Sequence, residues 1–306
     1  MTQLALSSYW MREHWKSLGE FFRAGADLGF RSYEVSGLRR DTFYDEIRPG
    51  QFHIASFHNP APRGRGTREA LGNAEMRNAD VLLASPDNER RMQSVAIAKR
   101  CVDIAGEYGA QVIVLHVGQT GADPALAERL GELFRCGDIH SPQADDLRSQ
   151  LLVQRAQRQE ERLAALRRSL DELALYASQR AMRLGIENRP IREMPSFDEV
   201  QQIMDWYADG TVGYWHDTGH AQVQEALGFT PHADWLQAFG HRLVGVHLHD
   251  VVGLEVHRAP GAGSVDWAVL APLASAQVPR VVEVGDAVSE SDLTGGVRHL
   301  HSTGWD

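Results

Sequence analysis

Between Leu243 and Asp250 the chain reads LVGVHLHD and alternates with period two. Val244, Val246 and Leu248 fall on one face and Gly245, His247 and His249 on the other, which predicts a strand with one apolar face and one imidazole-bearing face. Strand patterns recur at Leu4–Ser8, Ser32–Gly37, Phe52–His58, Gln111–Val117, Leu184–Asn188, Val212–Asp217 and Val281–Val284. The apolar run QVIVLHV suits a strand buried on both faces of a parallel sheet. Helical patterns lie between the strands: about 15–28, Glu89–Tyr108, one long helix over Asp146–Arg183, and Ser196–Tyr207 capped by Ser196. An insertion over about 118–146 follows the fourth strand, and no Ser/Gly linker divides the chain. Eight strands alternating with helices predict a single (β/α)8 TIM barrel spanning residues 1–306. A doubly wound sheet would share the alternation. The strand count favours the barrel, as do polar residues recurring at C-terminal strand ends, where barrels build their sites.

Composition narrows the class only slightly. The 306 residues are 43% hydrophobic and 24% charged, as in an ordinary soluble protein. A net charge of -10 argues against a broad grip on nucleic acid. Two cysteines, Cys101 and Cys136, give neither a disulfide framework nor a metal spacing, so a reducing cytoplasm is expected. No targeting segment or membrane span is expected from the N-terminus or the hydropathy pattern.

The strand ends carry the chemistry. His58 and His116 close strands three and four, Glu187 closes strand five, and Asp217 closes strand six with His220 one turn on. His247 lies on strand seven, Glu255 and His257 in the loop after it, and Glu283 at the end of strand eight. Each has a plain alternative: His58 could satisfy a backbone carbonyl, Glu187 could pair with Arg189, and Asp217 could cap the following helix. Together, three converging carboxylates would repel one another unless a cation sat among them. The reading is a divalent metal site, with Zn or Mn expected and Mg or Co as further options.

These residues also carry a resemblance. IENRP at Glu187, WHDTGH at Asp217, HLHD at His247, HRAPGAGSVDW from His257 and VVEVG at Glu283 resemble the xylose-isomerase-like TIM-barrel superfamily. That group joins sugar and sugar-phosphate isomerases and epimerases with AP endonuclease family 2. The resemblance implies one metal held by Glu187, Asp217, His247 and Glu283, with His249 an adjacent inward group. His247 is preferred to His249 because the family pattern places an acid, here Asp250, three residues after the ligating histidine. SFHNP and VLHVG resemble the endonuclease IV branch, where His58 and His116 would hold a second ion sharing Glu187, and His220, Glu255 and His257 a third. Glu255 stands where that branch has Asp, which puts the third position in doubt.

Two functions follow. The first is a metal-dependent isomerase or epimerase of a small sugar, sugar phosphate or polyol-derived keto compound, proceeding through an enediolate. Glu187 and Glu283 would exchange a proton on opposite sides of the reacting carbon, and His220, His249 and Arg189 would touch the substrate. The second is a di- or trinuclear zinc phosphoesterase. Arg63, Arg65 and Arg68 follow the His58 strand end, where they could hold an anionic group or remain a solvated loop. The arginines of the long helix, Arg155, Arg158, Arg162, Arg167 and Arg168, alternate with acids and read as a solvated outer face. The expected partners are a small-molecule substrate and a second copy in a homo-oligomer.

Overall fold

Eight parallel strands close on one another in sequence order. They are β1 (Ala5–Ser7), β2 (Ser32–Val35), β3 (His53–His58), β4 (Val112–Leu115), β5 (Arg183–Glu187), β6 (Val212–Asp217), β7 (Leu243–Leu248) and β8 (Arg280–Val282). This computed structural model describes residues 4–11, 15, 17–36, 47–60, 82–274 and 277–305. Arg63, Arg65 and Arg68 lie outside the described residues. No helix among the described residues is long and apolar enough to cross a membrane.

Period two along each strand sorts the side chains into an outer layer and an interior. Ala5, Val112, Val114, Trp215, Val244 and Val281 form an apolar floor inside the barrel. One pleat further along the same faces come Ser7, His116, Asp217 and Glu283, and His247 joins them in phase with Gly245, so the floor carries a polar layer at the C-terminal mouth. Trp215 fills the centre because Gly245 stands opposite it in register, where a Cβ would overlap the indole. Its ring in turn packs edge-on against His247 at 4.9 Å.

Three expectations need correction. The pairing of β6 with β7 shifts register between Tyr214 and Trp215, and this irregularity puts Val244 in the interior rather than with Val246 and Leu248 in the outer core. The long helix is two helices, Pro142–Ala156 and Gln159–Ser178, broken where Arg158 takes a left-handed backbone with φ 60°. Arg155 is not solvated: it is buried, 2.5 Å from Glu199, and donates to the carbonyls of Ile191 and Glu193. The rest of the insertion is also structured. Pro124–Arg135 is a helix, and it packs with Pro142–Ala156 into a separate apolar cluster that includes Ile191 and Leu227. A short antiparallel pair, Gly118–Gln119 with Glu193–Met194, ties the loop after β4 to the loop after β5.

Candidate metal centre

Glu187, the last residue of β5, is the hub of the polar layer. Its Oε2 lies 2.7 Å from His116 Nε2 and 3.4 Å from His58 Nε2. Its Oε1 lies 3.2 Å from His220 Nδ1, 3.2 Å from the Arg189 guanidinium and 3.6 Å from His247 Nδ1. His247 Nδ1 also lies 3.6 Å from Asp217 Oδ2 and 3.5 Å from Glu283 Oε2. Thus four side chains from four consecutive strands point at one place. Arg189 is shared with Glu193, whose Oε2 accepts from Nε at 2.9 Å.

The chain ends of β5 and β6 are locked together by Asn188. Its Oδ1 accepts from the Asp217 backbone N–H at 2.7 Å and from the Tyr214 hydroxyl at 2.9 Å, while Nδ2 donates to the Asp217 carbonyl. Asp217 caps the helix Thr218–Ala226 by accepting from the His220 N–H at 2.7 Å. Gly219 leaves room for the His249 ring, which a Cβ would strike. His249 Nε2 therefore reaches Asp217 at 3.0 Å, and its Nδ1 accepts from the His257 N–H. Asp250 does different work from its neighbours. It accepts from the backbone N–H groups of Val251, Gly261 and Val265 and from Trp267 Nε1, which fixes the loop that carries His257.

Burial alone would raise every carboxylate here, and the neighbours decide the outcome. His116 and Arg189 hold Glu187 well below the ordinary carboxylate range, and His220 and His249 do the same for Asp217. Burial prevails at Glu283, with Glu34 adding to it, so that carboxyl is raised. Burial would lower His247, yet Glu283 and Glu34 hold it well above the usual imidazole value. His116 behaves oppositely: burial, helped by Arg189, lowers it to about 4. His257 is also lowered by burial and by His249.

The donor set fits a metal ion on grounds other than its residue types. His116 Nε2, Glu187 Oε2 and His247 Nδ1 are buried with no hydrogen-bond partner, although the first two stand 2.7 Å apart. Lone pairs that converge without an aligned proton between them are what a cation satisfies. Ligand atoms cluster in four groups among the described residues: His58–His116–Glu187, Glu187–Asp217–His247, Glu34–His247–Glu283 and His249–His257–Glu283.

Of the residues expected from sequence, His58, His116, Glu187, Asp217, His220, His247, His249, His257, Glu283 and Arg189 come together at the mouth. Glu255 does not. Its side chain is 70% exposed and paired with Arg258 on the outside of a hairpin formed by Asp250–Val252 and Glu255–Arg258. Glu34 escaped the sequence reading. It is wholly buried on β2 and lies 3.2 Å from His247 Nε2. The signal was available, since Ser32, Glu34 and Ser36 share one face of SYEVS and a carboxylate in mid-strand needs partners.

Residues 22–285 match the family model of the xylose isomerase-like TIM barrel, and the chain belongs to that family. A curated relative, the uncharacterized protein y4fM of Sinorhizobium fredii (strain NBRC 101917 / NGR234), is 23% identical over 180 residues, covering 58% of this chain and 47% of the relative. The chain thus spans about half the length of the curated relative it matches. Among solved structures, 3-keto-D-glucoside 4-epimerase from E. coli superposes with a TM-score of 0.67 at 14% identity, covering 99% of this chain and 100% of that one. L-ribulose 3-epimerase gives 0.64 at 15% identity, covering 100% and 95%. A D-tagatose 3-epimerase-like protein gives 0.61 at 16%, covering 98% and 96%. At these identities the likeness is one of fold.

Proposed function

We propose that this protein is a divalent-metal-dependent isomerase or epimerase of a small sugar or related keto compound. The observation that carries the reading is the buried, unpartnered nitrogen His247 Nδ1, faced at 3.5–3.6 Å by carboxylate oxygens of Glu187, Asp217 and Glu283. Those four residues would hold the ion, Zn²⁺ or Mn²⁺ by donor chemistry, and the ion would supply Lewis-acid polarisation of a carbonyl. Glu187 and Glu283 arise from different strands, β5 and the end of β8. One takes the proton from the carbon beside the carbonyl and the other returns it on the opposite face. Their environments suit different halves of that cycle: Glu187 is held anionic by the Arg189 guanidinium, whereas Glu283 is raised by burial and keeps a proton more readily. His220 and Arg189, 3.3 Å apart beside Glu187, would orient substrate hydroxyls. The sugar epimerases that share the fold support a sugar as the substrate class.

The His58–His116–Glu187 group supports a second reading, a zinc phosphoesterase with two ions sharing Glu187. With Glu255 turned outward, the described residues favour two ions over three in that case. A single barrel domain acting in the cytoplasm completes the proposal, and Cys136 with its exposed free thiol suits a reducing compartment. Incubation of the metal-loaded protein with a panel of ketopentoses and ketohexoses in D2O separates the two chemistries. Isomerisation with solvent deuterium entering next to the carbonyl is the expected result. Turnover of a simple phosphodiester with no deuterium uptake from any sugar would reverse the choice.

A further inference from the structure

Among the described residues, the interior of the barrel holds a buried carboxylate that the proposed chemistry leaves unused. Glu34 on β2 is fully enclosed, and its two oxygens are both spoken for. Oε1 accepts from the Ser7 hydroxyl of β1 at 3.2 Å and Oε2 from the Ser56 hydroxyl of β3 at 2.7 Å. Both oxygens lie 3.2 Å from His247 Nε2 on β7. The contact spans 213 positions of sequence across the barrel, so the fold and not local chain proximity creates it.

An imidazole that ligates through one nitrogen must keep the proton on the other, and the group facing that second nitrogen selects the tautomer. His247 Nδ1 is the bare atom aimed at the carboxylates of Glu187, Asp217 and Glu283. Its Nε2 faces an acceptor that is itself pinned by two hydroxyls. Trp215 packs edge-on against the ring at 4.9 Å and the His58 ring stacks at 5.8 Å, so the imidazole is held between two neighbouring rings. Hence Nε2–H donates to Glu34 and the Nδ1 lone pair is committed to the mouth.

We propose that Glu34 is a positioning residue: held by Ser7 and Ser56, it fixes the Nε2–H tautomer and orientation of His247 so that Nδ1 serves as the metal donor. This rests on the reading of Glu187, Asp217, His247 and Glu283 as the metal site. Partners of this kind typically govern about 10- to 100-fold in metal affinity. The amide of Glu34→Gln keeps an acceptor oxygen for Nε2–H but loses the charge, whereas Glu34→Ala removes both.

The test is titration of metal-free protein with Co²⁺ alone, following binding and the visible d–d spectrum, alongside the melting temperature of the metal-free form. Wild type is expected to bind stoichiometrically with a tetrahedral or five-coordinate spectrum. Glu34→Gln should bind about tenfold more weakly with a shifted band, Glu34→Ala about 100-fold more weakly, and both should keep the wild-type melting midpoint within a few degrees. Unchanged affinity and spectrum in Glu34→Gln would overturn the proposal while leaving the metal site standing. Loss of all binding in Glu34→Gln, matching Asp217→Asn, would overturn it differently by making Glu34 a direct ligand. Wild type failing to bind Co²⁺ would instead reject the metal-site reading beneath it. Should the Glu34 variants not fold, Ser56→Ala takes their place, since it removes only the 2.7 Å hydroxyl bond. A several-fold loss of Co²⁺ affinity supports the proposal there, and no change overturns it.

Discussion

The two halves of the candidate metal centre are built on different principles, and Glu187 belongs to both. On the β6–β8 side, Asp217 and Glu283 join Glu187 around a single imidazole nitrogen, so negative charge outweighs positive. On the β3–β4 side, His58 and His116 meet only the other oxygen of Glu187. The first half attracts a cation by field, and its carboxylates repel one another without one. The second offers two imidazoles and a shared charge, His58 raised by Glu187 and His116 lowered by burial, so an ion there depends on imidazole coordination and on what already occupies Glu187. Asymmetry of this sort predicts an ordered filling, with the carboxylate-rich half first.

The largest effect should come from removing charge in that half. Asp217→Asn or Glu187→Gln is expected to weaken metal binding by more than about 100-fold and to abolish most activity, because each leaves a buried donor set short of one anion. Elemental analysis of dialysed protein is the measurement. Full metal content in both variants would dissolve the distinction between the halves. A smaller effect is expected from His58→Ala with His116→Ala: the ion at the four-residue site stays, and any ion on the β3–β4 side is lost. Anomalous scattering counts and places the ions. Loss of the β6–β8 ion in that double variant would show that the halves are one site.

The same contrast explains how much was legible in the sequence. Strand-end donors such as His58, Asp217 and His247 sit where period two meets the C-terminal edge, so alternation alone brought them to one face. What period two cannot carry is the register of one strand against the next. The shift at Tyr214 and Trp215 moved Val244 inward, and no local pattern announces it. Glu34 is a cross-barrel contact between β2 and β7, invisible to any window of either strand. Glu255 failed for a related reason. Spacing put it two residues from His257, on the same face of a regular strand, but His257 takes a left-handed backbone with φ 59° that breaks the alternation, and Glu255 pairs with Arg258 outside. The left-handed Arg158 that splits the long helix likewise sits in a sequence of good helix formers, where the break comes from packing and not propensity.

The smallest effect is a proton. Glu283 and Glu34 hold His247 well above its ordinary value of 6.5, so in metal-free protein a cation must compete with a proton for Nδ1. His116, lowered to about 4, is already neutral at pH 7 and has none to give. Metal uptake at the carboxylate-rich half should therefore release about one proton per ion near pH 7. The sign follows from competition: as pH rises toward the raised His247 value, affinity climbs by about tenfold per pH unit, then levels once the imidazole is neutral in the free protein. Calorimetric titration in two buffers of different ionisation enthalpy reads the proton count directly. The His58→Ala, His116→Ala variant should give the same count for the first ion, because neither ring ligates it. Uptake that releases no proton at pH 7 would mean that His247 Nδ1 is not the donor. A count that changes in the double variant would mean that the first ion settles on the β3–β4 side instead.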